Sequence, residues 1–240
     1  MPLRAVNSED VMIHQFILAS PKPGMTEEAF QDYWVNNHAV NYASKIPQIK
    51  KYIVDTRIKQ ENETGEPLFS GIAEIWIKPE EQIASLQTKE FLQGARLDEP
   101  NWAAFWKSLV VDTTEDYVFG DEEITETGYV KLVRLLKRKE GLKLGTYRSD
   151  LQKVYAPMNT YFDEIKRYML CHAVDGAYAV GEARFDSVEV FSFLNTDDLN
   201  TFIESSEYVF DIMPCLAGLV ETGYLFSMTV QENWIIKGRD

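Results

Sequence analysis

The chain repeats itself, and that repetition constrains its fold more than any other feature. Two β-prone runs, IHQFILASPKPG (13–24) and VKLVRLLKRKEG (130–141), each end in a basic turn closed by glycine, and Gly24 and Gly141 lie 117 residues apart. A helical pattern follows each turn. Thr26 is placed to cap the first, with Glu27 and Glu28 in the first turn, where carboxylates favour the helix dipole. Phe30, Trp34 and His38 recur at every fourth position and share one helix face, and Tyr147, Leu151 and Tyr155 repeat that spacing 117 residues on. Pro47 and Pro157 discourage continuation of either helix.

Next, IPQIKKYIVDTRI (46–58) matches FDEIKRYMLCHAV (162–174), which sets Ile49, Lys50 and Tyr52 against Ile165, Lys166 and Tyr168. A third strand appears in each copy, FSGIAEIWI (69–77) and FDSVEVFSF (185–193), with Glu74 and Glu189 in comparable places. A second helix runs through TKEFL (88–92) and SSEYV (205–209), and a last strand closes each copy near 109–119 and 221–231. The order β-α-β-β-α-β is the ferredoxin-like split βαβ unit. The fold class predicted is therefore α+β: a first repeat at 1–120, an acidic linker at 121–128 and a second repeat at 129–240. One such unit leaves a sheet face uncovered, and two in one chain can cover each other without help from a second molecule. The expected product is an intramolecular, pseudo-dimeric α/β barrel, monomeric with internal pseudo-symmetry and open to further dimerisation.

Composition narrows the function. A net charge of −14 repels phosphate backbones and anionic lipid, so nucleic acid and membrane surfaces are disfavoured partners. No apolar run approaches the roughly 18 residues of a membrane span, and the opening MPLRAVNSED lacks the apolar core of a secretion signal; a cytoplasmic protein is expected. Cys171 and Cys215 show no CxxC spacing, which argues against zinc and a disulfide framework. GxGxxG, Walker, GxSxG and HExxH motifs are absent, so nucleotide, serine-hydrolase and zinc chemistry are disfavoured as well.

Three histidines make the inventory of proton carriers short. His38 leads it: it follows Phe30 and Trp34 on one face, and imidazole shuttles protons near neutral pH. The competing role is packing with a hydrogen bond to nearby backbone. Glu74 falls mid-strand between apolar neighbours, where a carboxylate either exchanges a proton with His38 or a substrate phenol, or forms a salt bridge to a Lys or Arg; Glu189 carries the same ambiguity. Arg134 interrupts VKLVRLL and would bind an anionic or enolate oxygen or pair with Asp or Glu. Tyr155, Tyr168 and His172 complete the polar set of the second copy, and His14 is assigned a structural role. Aromatic residues, at 12%, would fill the core and line a pocket for flat rings, with Phe30, Trp34 and Tyr147 among them.

FQDYWVNNHA (30–39), LLKRKEG (135–141), VYAP (154–157) and Glu74-Ile75-Trp76 together resemble the EthD family, in which an aromatic–Trp–x–x–x–His–Ala run recurs. The resemblance covers nearly the whole chain as two EthD-like units. It implies membership of the dimeric α/β barrel group, which holds cofactor-independent monooxygenases, polyketide cyclases, decarboxylases, isomerases and some haem enzymes. It further implies a small hydrophobic or aromatic substrate of the polyketide or phenolic type, as in fungal secondary metabolism. The second copy departs from the pattern: Leu151 stands where the family has Trp, and Tyr155 where it has His. The implied chemistry is therefore acid–base catalysis without a cofactor, with His38 as proton carrier and Glu74 and Tyr155 assisting. A cofactor-free monooxygenase and a non-catalytic carrier of a hydrophobic metabolite are the alternatives, and haem on His38 is a minor one.

Overall fold

The computed structural model describes residues 11–60, 63–120, 125 and 127–239; most of the acidic linker, 121–124 and 126, lies outside them. Among these described residues eight strands form: β1 (Ile13–Ala19), β2 (Ile49–Arg57), β3 (Gly71–Ile77), β4 (Leu109–Phe119), β5 (Val130–Leu136), β6 (Ile165–Ala173), β7 (Ser187–Phe193) and β8 (Phe226–Ile236). Hydrogen bonding links them in the order β1-β3-β2-β8-β5-β7-β6-β4 as a closed antiparallel barrel, which leaves no unpaired sheet edge. The final strand begins at Phe226 rather than near 221, because Thr222–Tyr224 are taken up by a tight 3₁₀ turn. β4 and β8 then match each other at the same 117-residue offset as the opening turns.

The first helix follows the capping rules. Thr26 Oγ1 accepts from the Ala29 N–H at 3.2 Å to start α1 (Glu27–Tyr33). Gly24 and Gly141 both hold left-handed backbone, φ 85° and 80°, so each repeat turns from strand to helix with the same residue. α2 (Gln82–Ser85) and α3 (Arg96–Asp98) follow in the first repeat; α4 (Leu144–Asp150), α5 (Ala156–Met158), α6 (Thr196–Glu204) and α7 (Met213–Leu219) belong to the second. Four wide π-helical turns, Trp34–Ala39, Phe91–Ala95, Leu151–Tyr155 and Tyr208–Ile212, complete these helices, and each turn in the first repeat has its counterpart 117 residues later. Such turns are rare and concentrate where side chains must be re-aimed. None of the helices among the described residues is long and apolar enough to cross a membrane.

Two compact units result. Among the described residues, one gathers 11–112, 127–128 and 230–239, and the other 113–120, 125 and 129–229. The eleven-residue strands β4 and β8 thus divide between units: the Val230–Ile236 part of β8 pairs with β2 in the first, and β4 from Thr113 onward pairs with β6 in the second. In the first unit Phe30, Trp34 and Trp102 pack on Ala19, Tyr52, Val54, Ala73 and Ile75 on one face of the sheet. In the second, Phe202 is the hub, with Phe162, Phe191, Phe193 and Tyr208 around it at centroid distances of 4.9–5.7 Å.

Candidate functional site

His38 sits on the π-helical turn after α1, with 8% of its side chain exposed. Its Nδ1 lies 2.8 Å from Asp98 Oδ2. The Tyr33 hydroxyl donates to Asp98 Oδ1 at 2.8 Å, and Asn101 Nδ2 donates to the same oxygen at 3.0 Å. Burial pushes the Asp98 carboxyl up, but the hydrogen bonds from Asn101, His38 and Tyr33 outweigh it and hold the group below its ordinary value. An ionised Asp98 can only accept, so Nδ1 carries the proton and Nε2 keeps its lone pair. Burial, only partly offset by Asp98, lowers the His38 pKa as well, so the imidazole is neutral at pH 7. Tyr33 is pushed up to about 12, by burial first and then by Asp98, and remains a donor.

Aromatic side chains surround the pair. Trp102 lies 4.6 Å from the His38 ring, centroid to centroid, and contacts Trp34 at 4.9 Å and Phe30 at 5.2 Å. Trp34 Nε1 donates to the Tyr52 hydroxyl at 3.1 Å. Trp102 Nε1 is buried without a hydrogen-bond partner among the described residues, an uncommon state for so strong a donor.

Glu74 lies elsewhere. Its Oε2 is 2.7 Å from His14 Nε2, both side chains are fully buried, and His14 stacks on Trp76 at 3.9 Å. Strand alternation explains the placement. Ala73 and Ile75 face the helices and Trp34, so Glu74 between them faces the other way. The expected exchange between Glu74 and His38 is therefore not what the fold brings together, and His14 is the partner of Glu74. Register corrects a second expectation. Ile17 pairs with Ala73 in the first repeat and Arg134 with Glu189 in the second, so Glu189 is the counterpart of Ala73, one residue away from Glu74. One residue in a strand means the opposite face.

Glu189 consequently joins Arg134, Tyr155 and Tyr168 on the helix side of the second unit. Arg134 Nη1 reaches Glu189 Oε2 and the Tyr155 hydroxyl, each at 3.4 Å, and Nη2 reaches the Tyr208 hydroxyl at 2.6 Å. Tyr168 donates to Glu189 Oε1 at 2.8 Å. A separate trio lies nearby in sequence: Tyr147 donates to Ser187 Oγ at 3.1 Å, and His172 Nδ1 lies 2.8 Å from the same oxygen. Burial, opposed by Asp116 and reinforced by Arg148, holds His172 down at about 4. Between that value and the ordinary 6.5 the unfolded chain binds the extra proton, so stability should fall as pH drops through this window. The loss should be on the order of 3 kcal/mol. Urea unfolding at stepped pH should show this slope flattened in His172→Gln; an unchanged slope would assign the acid sensitivity to other groups.

Among the described residues no group of three or more His, Cys, Asp or Glu side chains converges as a metal-ligand set. Asp98, Tyr33, Asn101 and Trp102 are the site residues that sequence reasoning missed. The available signal was the repeat itself: at the 117-residue offset Asp98 faces Cys215, so both members of the His38–Asp98 pair are replaced in the second copy.

A tandem ferredoxin-like barrel with a histidine–carboxylate pair in one repeat defines the class. Its first repeat is similar to an EthD domain: the model of that family matches residues 22–105, which span Trp34, His38, Asp98 and Trp102. The fold is similar to that of an anthrone oxidase-like protein (8% identity, TM-score 0.67), with 98% of this chain and 97% of that one covered. It is also similar to a "putative monooxygenase" from Fusobacterium nucleatum (10%, 0.64, 95% of each chain) and to another so named from Lactobacillus acidophilus (10%, 0.58, 95% of this chain and 98% of that one). No curated protein matches the chain.

Proposed function

We propose that the protein is an enzyme of small-molecule metabolism that moves protons on a phenolic or polyketide-type substrate, with His38 as the proton carrier. The observation that carries this is the 2.8 Å contact between His38 Nδ1 and an Asp98 carboxylate itself held by Tyr33 and Asn101. That arrangement fixes the tautomer, aims Nε2 as the base and stabilises the imidazolium once formed. Nε2 would take an acidic proton, from a phenolic O–H or from carbon beside a carbonyl, and return it at a second position. Loss of water, loss of carbon dioxide, ring closure and double-bond migration all draw on that one transfer. Trp102 Nε1, lacking a partner beside the imidazole, is suited to receive the substrate oxygen on which negative charge develops. Phe30 and Trp34 would pack against the flat face of the substrate. Glu74, paired with His14, has no part in this transfer. Proton transfer of this kind asks for no cofactor, and a haem absorption band in the purified protein would overturn that part of the proposal.

A second possibility draws on the fold likeness to proteins named for anthrone oxidation and monooxygenation. The same base would make a phenolate electron-rich enough to meet oxygen. One experiment separates the two. A panel of anthrones, naphthols and β-keto acids is incubated with the protein with and without oxygen. Turnover that persists without oxygen supports the acid–base proposal, and turnover only with oxygen supports the monooxygenase. Saturable binding without turnover in either condition would make the protein a carrier. For an acid–base enzyme, kcat/KM should hold steady below the ordinary imidazole value of 6.5 and fall only as pH drops through the lowered His38 pKa. A decline centred above 6.5 would point to a different group.

A further inference from the structure

The duplication supplies its own control for the buried charges of the second repeat. Arg134, Glu189 and Tyr208 occupy the positions that Ile17, Ala73 and Phe91 hold in the first: the strand pairs share a register, and Tyr208 and Phe91 each open a π-helical turn. Tyr155 likewise stands at the His38 position. At the two strand positions and the turn position, the helix–sheet interface is thus apolar in the first repeat and holds an ion pair and a tyrosine in the second. Burying two charges costs more than burying hydrophobic groups of similar size, so folding alone does not call for them.

The geometry of the cluster is that of a charge with an incomplete partner. Arg134 is 1% exposed, yet among the described residues its only carboxylate contact is 3.4 Å long, and Glu189 is shared with Tyr155 and Tyr168. The closest contact to the guanidinium is a neutral one, the Tyr208 hydroxyl at 2.6 Å, and the Tyr208 and Phe191 rings lie 5.3 and 5.0 Å from it. Burial, only partly offset by Arg134 and the tyrosines, raises the Glu189 pKa, while Glu189 and the tyrosines keep the Arg134 guanidinium protonated in spite of its burial. Tyr208 is the partly exposed member, placed just after α6 ends at Glu204 and the chain bends at Ser205.

We propose that the helix–sheet interior of the second repeat is an anion seat, in which Arg134 binds the carboxylate or phenolate oxygen of a small aromatic ligand that displaces the Tyr208 hydroxyl. The guanidinium fork suits a planar carboxylate, and Phe191 and Tyr208 suit an attached ring. This site is independent of the His38 chemistry and would stand if that proposal failed.

Isothermal titration with benzoate, salicylate and 2-naphthoate, each against its neutral amide, tests it. At least one carboxylate should bind saturably, with its amide at least about tenfold weaker, as expected for a hydrogen-bonded charge pair. Tyr208→Phe should bind that carboxylate more tightly, because no hydroxyl has to be displaced. Arg134→Met should bind at least about tenfold more weakly, while His38→Gln should match the wild type. If Arg134→Met does not fold, the amide comparison and Tyr208→Phe decide alone. No binding by wild type or by Tyr208→Phe would overturn the proposal. So would equal affinity for acid and amide, weaker binding by Tyr208→Phe, or a loss in His38→Gln that Arg134→Met does not share.

Discussion

His38→Gln should lower turnover by about 10²- to 10⁴-fold, the range for removal of a general acid or base. Glutamine is chosen because its amide N–H can still donate to Asp98, so the carboxylate is not stranded in the interior, whereas the amide cannot titrate. Stability should therefore change little, and circular dichroism melting checks that. Asp98→Asn should also impair turnover while leaving substrate affinity nearly intact, since an asparagine no longer dictates which imidazole nitrogen carries the proton. Tyr155→Phe, in the other repeat, should cost far less, because the loss of one neutral hydrogen bond is worth about 0.5–1.5 kcal/mol. The reverse ranking would move the chemistry into the second repeat. A His38→Gln protein with full turnover and reduced stability would make the His38–Asp98 pair a structural one.

Glu189→Ala should be the most destabilising substitution in the second unit. It leaves Arg134 buried without its carboxylate, for which the expected cost is about 3–5 kcal/mol, and it strands the Tyr168 hydroxyl, which donates to Glu189 at 2.8 Å. The double change Arg134→Met with Glu189→Leu removes both charges at similar volume. It should recover the Arg134 part of that loss and stay about 1–3 kcal/mol below wild type, because the paired charges add little beyond what apolar packing supplies while the Tyr168 hydroxyl still lacks its acceptor. Urea unfolding measures both. If the double variant is as unstable as Glu189→Ala, the ion pair is needed for folding, and the contrast with Ile17 and Ala73 misleads.

The difference between what was legible and what was not has a physical origin. Self-similarity at a fixed offset, turn glycines and the capping Thr26 are local or additive signals, and they carried the strands, the helices and the α+β barrel. The end strand starts at Phe226 and not near 221 because VETGYLFSMTV has no clean alternation, and Gly223 is the one local mark of the turn at Thr222–Tyr224. Glu74 and Glu189 looked equivalent because both interrupt similar apolar runs. A one-residue difference in register, invisible in composition, put them on opposite faces.

By itself, then, the sequence determined that the protein is two copies of one ferredoxin-like unit, that only the first keeps Trp34 and His38, and that Arg134 needs a partner. Which groups meet follows from the packing of distant segments. Asp98 lies 60 residues beyond His38 and reaches it from α3, where it also accepts from Tyr33 of α1. His14 claims Glu74 across adjacent strands. Spacing along a helix or strand fixes which face a side chain occupies, because that follows from backbone geometry alone. Which side chain from a distant segment it meets depends on how the elements close on one another, and no short stretch of sequence encodes that.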